Sequence, residues 1–388
     1  MSQRYRYTFS LAAPLAALAL SSCADAPAAP ESSRTTFAAA LGQVDASAQT
    51  GAVYALSNDP AGNGVIAFRR AADGTLSSLG TFATQGRGTG GTIDPLFSQF
   101  ALVLSGDHHA LFAVNAASDE VSSFRVNDDG TLTFASKVSS GGDLPVSLAV
   151  HGTLLYALNA GDNSLQGFRV TGQARLVRLP FSATILAPGA AGPAAVRFTP
   201  DGQFLIVSER VSNRLEVFPV RADGGLGAPV VSPAPGGASF GFDITSRNQP
   251  IVSETQGSLT SYALATDGTL TPITASISTD GAAACWVTIT ADGRFVYTTN
   301  SASNAVAGFA VDAAGQLTAL TPGVATGESG AGAAPIDLDH VGTRFLYTLE
   351  AGTGTIGTFM INADGTLAAR PDTPAGAPAS GLQGIAAF

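Results

Sequence analysis

Seven polar side chains recur at one place in a repeated pattern, and three of them are carboxylates. Ser57, Asn115, Asn159, Glu209, Glu254, Asn300 and Glu350 each stand three residues after an apolar or aromatic mark. Glutamate is not a preferred turn residue, so Glu209 and Glu254 are candidate general bases. Glu350, Asn115, Asn159 and Asn300 are candidate ligand-binding groups. A plainer reading is that these residues end a strand and bond their own loop backbone. A second polar series, Ser147, Arg197, Asp243, Thr288 and Asp337, interrupts otherwise apolar segments. Unpaired buried charge is costly, so Arg197, Asp243 and Asp337 must pair with one another or face water. Either they form a structural salt bridge across a channel, or Arg197 orients an anionic ligand with Asp243 and Asp337 nearby.

The chain has four histidines, His108, His109, His151 and His340. All fall in or beside the turn that follows the second polar series. The glutamates lie at the other end of the pattern, so no imidazole is expected beside them as base, and no histidine cluster to hold zinc. A Ser-His-acid triad and a Gly-x-Ser-x-Gly elbow are likewise not indicated. The run Gly86-Arg87-Gly88-Thr89-Gly90-Gly91 lacks a strand-to-helix context, which makes it a flexible connector rather than a phosphate cradle. Acidic pairs at Asp119-Glu120 and Asp128-Asp129 read as solvated turn residues, with calcium binding the alternative. No metal and no cofactor is expected.

The elements that carry these residues follow from the repeat itself. An apolar or aromatic pair opens each copy, at Val53-Tyr54, Leu111-Phe112, Leu155-Tyr156, Leu205-Ile206, Pro250-Ile251, Val296-Tyr297 and Leu346-Tyr347. Aromatics later in each copy, from Phe68 to Phe359, are spaced by 56, 44, 50, 44, 47 and 50 residues. Short strands at a period near fifty mark a propeller. In the fourth copy the spacing predicts strands over 194–198, 204–208 and 214–220, with an outer strand beginning at Leu226. Asp-Gly pairs at 73–74, 129–130, 223–224, 267–268 and 364–365 supply the turns between third and fourth strands. The fold expected is all-β: a seven-bladed propeller of four-stranded antiparallel blades. Residues 381–388 resemble an orphan inner strand that completes the first blade and closes the ring.

Composition narrows the function. The sequence holds 19 Lys and Arg against 29 Asp and Glu, for a net charge of −10, and no basic stripe suits nucleic acid. Residues 1–22 read as a lipoprotein signal: Arg4 and Arg6, an apolar stretch too short to span a bilayer, then Leu20-Ser21-Ser22-Cys23. Cys23 is the expected lipidation site, followed by an Ala- and Pro-rich tether over 23–43 and the propeller over 44–388. A monomer held by a lipid anchor in the bacterial envelope, at the outer membrane, is expected. Cys285, beside Trp286, reads as a buried small hydrophobe.

Segments such as Pro200-Asp201-Gly202-Gln203-Phe204-Leu205-Ile206-Val207 and Ala291-Asp292-Gly293-Arg294-Phe295-Val296-Tyr297 resemble the lactonase family of seven-bladed propellers. That family includes propeller-type 6-phosphogluconolactonases and muconate-lactonising enzymes. Where lactonase members carry a histidine after the Gly-Pro that opens an inner strand, this chain has Ala194. The resemblance implies hydrolysis of a small cyclic ester, with Arg197 polarising the carbonyl and Glu209 or Glu254 activating water. The alternative is a non-catalytic envelope protein whose propeller face binds a protein or glycan.

Overall fold

The computed structural model describes residues 50–376 and 381–388. The signal, Cys23 and the tether expected over 1–43 lie outside the described residues. Seven antiparallel sheets follow one another along the chain. Blade 1 takes Gly51–Leu56, Gly64–Arg70 and Leu76–Ala83 from the start, and its inner strand, Gln383–Ala387, from the end. The closure expected for residues 381–388 is therefore present. Among the described residues the helical elements are two single turns of 3-10 helix, Ala116–Ser118 and Ser301–Ser303.

Blade 4 shows how local sequence sets each blade. Its strands are Pro193–Phe198, Phe204–Glu209, Arg214–Pro219 and Val230–Pro233. The first three match expectation, while the outer strand starts four residues later because Leu226 makes only an isolated bridge to Val220. Second strands are buried along their whole length, as in Phe204–Glu209 and Phe345–Glu350, or all but their first residue, as in Gly51–Leu56 and Leu154–Asn159. Each is covered on both faces by neighbouring blades, which explains the continuous apolar runs. Outer strands such as Leu76–Ala83 are half exposed.

The repeated aromatic pair has a specific task. Tyr54 donates its hydroxyl to the Gly130 carbonyl of the next blade, Tyr156 to Gly224, Tyr297 to Gly365, and Tyr347 to Gly74, at 2.7 to 2.9 Å. Each acceptor glycine belongs to the turn before an outer strand. The Tyr347 contact joins blade 7 to blade 1, so the closing seam is stapled like the others. Burial pushes all four phenols well above their ordinary range.

Between blades 1 and 2 the chain makes its longest step, and the extra residues cross the centre of the ring. Gln99 donates through Nε2 to Val287 O at 2.7 Å, and Ser98 Oγ donates to Val146 O at 2.8 Å. The Ser98 carbonyl accepts from Trp286 Nε1 and Gln383 Nε2, while the Gln99 amide donates to Ala194 O. One short segment thus touches the inner strands of blades 1, 3, 4 and 6 and plugs one end of the channel. Asp94, Phe97 and Phe100 in it adopt left-handed backbone at φ 49°, 48° and 68°, a conformation held by these surrounding bonds. The preceding glycine-rich run is a packed connector, correcting the expectation of flexibility. A Cβ on Gly86 would lie 2.3 Å from Asn115 Cγ, and one on Gly88 2.0 Å from the Asn58 carbonyl carbon.

Candidate functional site

The inner strands end around a cavity of about 550 Å³ that opens at the mouth away from the plug. Strand register defines one level of it. Opposite the second residue of each apolar pair stand Ala386, Val103, Ala149, Arg197, Asp243, Thr288 and Asp339, from blade 1 to blade 7. Spacing along the chain had grouped Ser147 and Asp337 with Arg197, Asp243 and Thr288. Register corrects this to Ala149 and Asp339. Every four-residue or longer inner strand carries an irregularity near its start, such as the one between Ile336 and Leu338. Side-chain alternation restarts there, and a linear count loses the level. Asp337 occupies that bulge at φ 57°.

Arg197 Nε binds Asp243 Oδ1 at 2.9 Å, and its guanidinium lies 4.7 Å over the Phe100 ring. The Asp243 side chain is 8% exposed and that of Arg197 41%. The pair therefore fixes a cation whose outer edge remains accessible. Asp243 also accepts the amides of Ile244 at 2.7 Å and Ile289 at 3.0 Å. The expected salt bridge is present between neighbouring blades rather than across the channel, and Asp337 does not join it.

Asp337 accepts the amides of Leu338 and Ile385, and Asp339 those of His340 and Ala387. Two carboxyls of blade 7 thereby hold the closing strand. Burial raises both carboxyls, Asp337 well above the ordinary range, while the neighbouring His340 works against the rise at Asp339. The His340 Nδ1 lies 2.9 Å from Thr288 Oγ1 and 3.6 Å from Asp339 Oδ1. His108 stacks on Phe388 at 4.9 Å, and burial depresses its imidazole. His340, His108 and Arg197 line the same cavity. The imidazoles are remote from the glutamates, as their positions in the repeat implied, yet they share a site with the charged inner strands.

The residues following the apolar pairs lie elsewhere. Glu209, Glu254, Glu350, Asn115 and Asn159 are 0% exposed and Asn300 is 1% exposed. Glu209 accepts from Arg214 Nε, the Ala191 amide and Ser212; Glu254 accepts from the Gly236 amide, Ser258 and Thr260. Thr348 and Thr355 donate to Glu350, while Asn115 accepts from Asn63 and Thr84 and donates to Ser122. Asn300 meets Thr279, and Asn159 donates to Ser164. Asn115, Glu209, Glu254 and Asn300 anchor loops arriving from the preceding blade, while the bonds of Asn159 and Glu350 stay within their own blade. These side chains form no open ring, and Arg197, opposite Ile206, is separated from Glu209, opposite Pro193, by most of the inner strand.

Of the groups lining the cavity, Arg197 and Asp243 had been singled out from the sequence, whereas Asp339, His340 and the plug had not. The signals were available: alternating Asp337 and Asp339 ahead of His340, and the 56-residue first step. Cys285 is 8% exposed and free, as a buried hydrophobe should be, with its thiol pushed up by burial.

With this geometry established, comparison with known proteins supplies the class. The family model described as "Lactonase, 7-bladed beta-propeller" matches residues 61–188, 175–230 and 244–373. The chain belongs to this family. No curated protein sequence matches it significantly. Among solved structures, a candidate 6-phosphogluconolactonase from Bacteroides uniformis shares 18% identity, covering 88% of this chain and 100% of that one, with a TM-score of 0.71. The periplasmic gluconolactonase of Pseudomonas aeruginosa shares 19% identity over 86% of this chain and 98% of that one, with a TM-score of 0.67. At such identities the likeness concerns the fold.

Proposed function

We propose that the protein hydrolyses a small lactone in the axial cavity. The observation that carries this reading is the shared lining: an arginine fixed by a buried carboxylate and an imidazole face one half-enclosed space. Arg197 would draw electron density from the lactone carbonyl, and its bond to Asp243 holds the guanidinium before substrate arrives. With Nδ1–H donating to Thr288, His340 Nε2 is left to take a proton from water. The water oxygen bonds to the carbonyl carbon, the ring C–O bond breaks, and the alkoxide receives the proton, giving a hydroxy acid. Asp339, 3.6 Å from Nδ1, stabilises the imidazolium formed in between. These assignments replace Glu209 and Glu254, which are sealed away from the cavity.

The test is turnover of a lactone panel that includes glucono-1,5-lactone, with Arg197→Gln and His340→Gln alongside. Each substitution is expected to lower kcat/KM about 100-fold or more with the domain still folded. Wild-type rates in both variants would remove these residues from the mechanism. A second reading, docking of a protein partner, is favoured by the exposed Val177, Phe181 and Ile185 on the outer edge of blade 3. Absence of turnover on every lactone would select it. The proposal keeps a lipid-anchored envelope location through Cys23, to be checked by the mass of the mature N-terminus.

A further inference from the structure

The level of side chains around the cavity is divided. Blades 4 to 7 contribute Arg197, Asp243, Thr288 and Asp339, while blades 1 and 2 contribute Ala386 and Val103, and Ala149 of blade 3 lies at the same register outside the cavity lining. Phe100, brought in by the plug, packs edge-on to Phe242 and adds an aromatic surface under Arg197. Leu102, Leu104, Ile385 and Phe388 extend the apolar side.

The polar side is already largely committed to the protein. Both oxygens of Asp243, Asp337 and Asp339 accept backbone amides, and Asp243 holds Arg197 as well. Thr288 is bonded to His340. What remains for a ligand is mainly the outer edge of the Arg197 guanidinium, Nε2 of His340 and the ring of His108, since Arg70, which also lines the cavity, is fully buried and donates through Nε to the Phe388 carbonyl. That suffices for one ester group. It does not suffice for a ring bearing several hydroxyls, whose bonds to water would be lost against valine, leucine and phenylalanine.

We infer that the substrate is an amphipathic lactone: an ester head directed to Arg197 and His340, and a hydrocarbon flank seated against Val103, Ala386 and Phe100. This rests on the hydrolytic reading above and departs from the sugar lactones named for the structural neighbours. Burial of each methylene on that side favours binding about fourfold, so a short alkyl chain or fused aromatic ring suffices for marked discrimination.

The test compares δ-decalactone and 3,4-dihydrocoumarin with glucono-1,5-lactone on the purified protein. At least a tenfold higher kcat/KM is expected for the hydrocarbon lactones. Val103→Ser, at a half-buried position, and Ala386→Ser should each narrow that ratio about fivefold or more, mainly through KM. A preference for gluconolactone, or a ratio unmoved in both variants, overturns the inference while leaving the hydrolytic reading standing. Lack of turnover on all three substrates sinks the hydrolytic reading instead. In that event, binding of two unreactive lactams decides the hydrocarbon preference by calorimetry, one carrying a pentyl chain and the other the hydroxyls of gluconolactone. Tighter binding of the hydroxylated lactam overturns the inference, and tighter binding of the alkyl lactam supports it.

Discussion

Asp94 lies in the plug, 8% exposed, and burial lifts its carboxyl to about 8. Its contacts, including the Ser98 amide at 3.3 Å, only partly offset that effect. Glu216 and Glu350 are lifted to about 7, again chiefly by burial. The sign of the consequence is fixed by linkage. Between its ordinary value near 4 and its folded value, each group keeps a proton in the folded chain that the unfolded chain has lost. Their net effect is therefore a stability that falls as pH rises from about 4 to about 8. Exposed turn aspartates such as Asp73, Asp129 and Asp364, held low by neighbouring threonines, act in the opposite sense, below about pH 4. Thermal melts should show Tm declining by several degrees from pH 5 to pH 8.5, with a shallower decline in Asp94→Asn. An equally steep decline in that variant would remove Asp94 as the source.

The elements are joined by a recurring device at the ends of second strands. At Asn115, Asn159, Glu254 and Asn300 the loop from the preceding blade passes so close that glycine stands there, whereas Ala191 meets Glu209. A Cβ on Gly236 would fall 1.9 Å from Glu254 Oε2, and one on Gly281 2.3 Å from Asn300 Nδ2. Glu254 cannot easily yield, because it is fully buried and holds the Gly236 amide at 3.0 Å. Gly236→Ala is expected to cost about 2 kcal/mol, and denaturant titration of the cycle with Glu254→Ala should reveal strong non-additivity. Additive costs would mean that the two residues do not press on each other. This device also shows where sequence reading stopped. The spacing of Asn115, Glu209 and Glu254 was legible, and so was the plainer structural role considered for them. Their burial was not, since it depends on a loop from another blade passing over them.

At the scale of the molecule, closure depends on Gln383–Ala387 docking between blade 7 and the first strand of blade 1. Val53, Tyr54 and Ala55 pair with Ala387, Ala386 and Ile385. Asp337 and Asp339 receive two more of its amides from the other side. Removing residues 383–388 would leave those buried carboxyls without partners and open the ring, so one cooperative transition at a Tm lower by 10 °C or more is expected for the whole domain. Unchanged melting of the truncated chain would contradict closure by this strand. The number of blades, their strand order and this closing strand were readable from the chain, because turn chemistry and the period of apolar residues act locally. The assembly of Arg197, Asp243, Thr288, Asp339 and His340 around one cavity was not. Each lies on a different stretch of chain, each inner strand carries its own irregularity, and only the closed ring determines which side chains meet at one level.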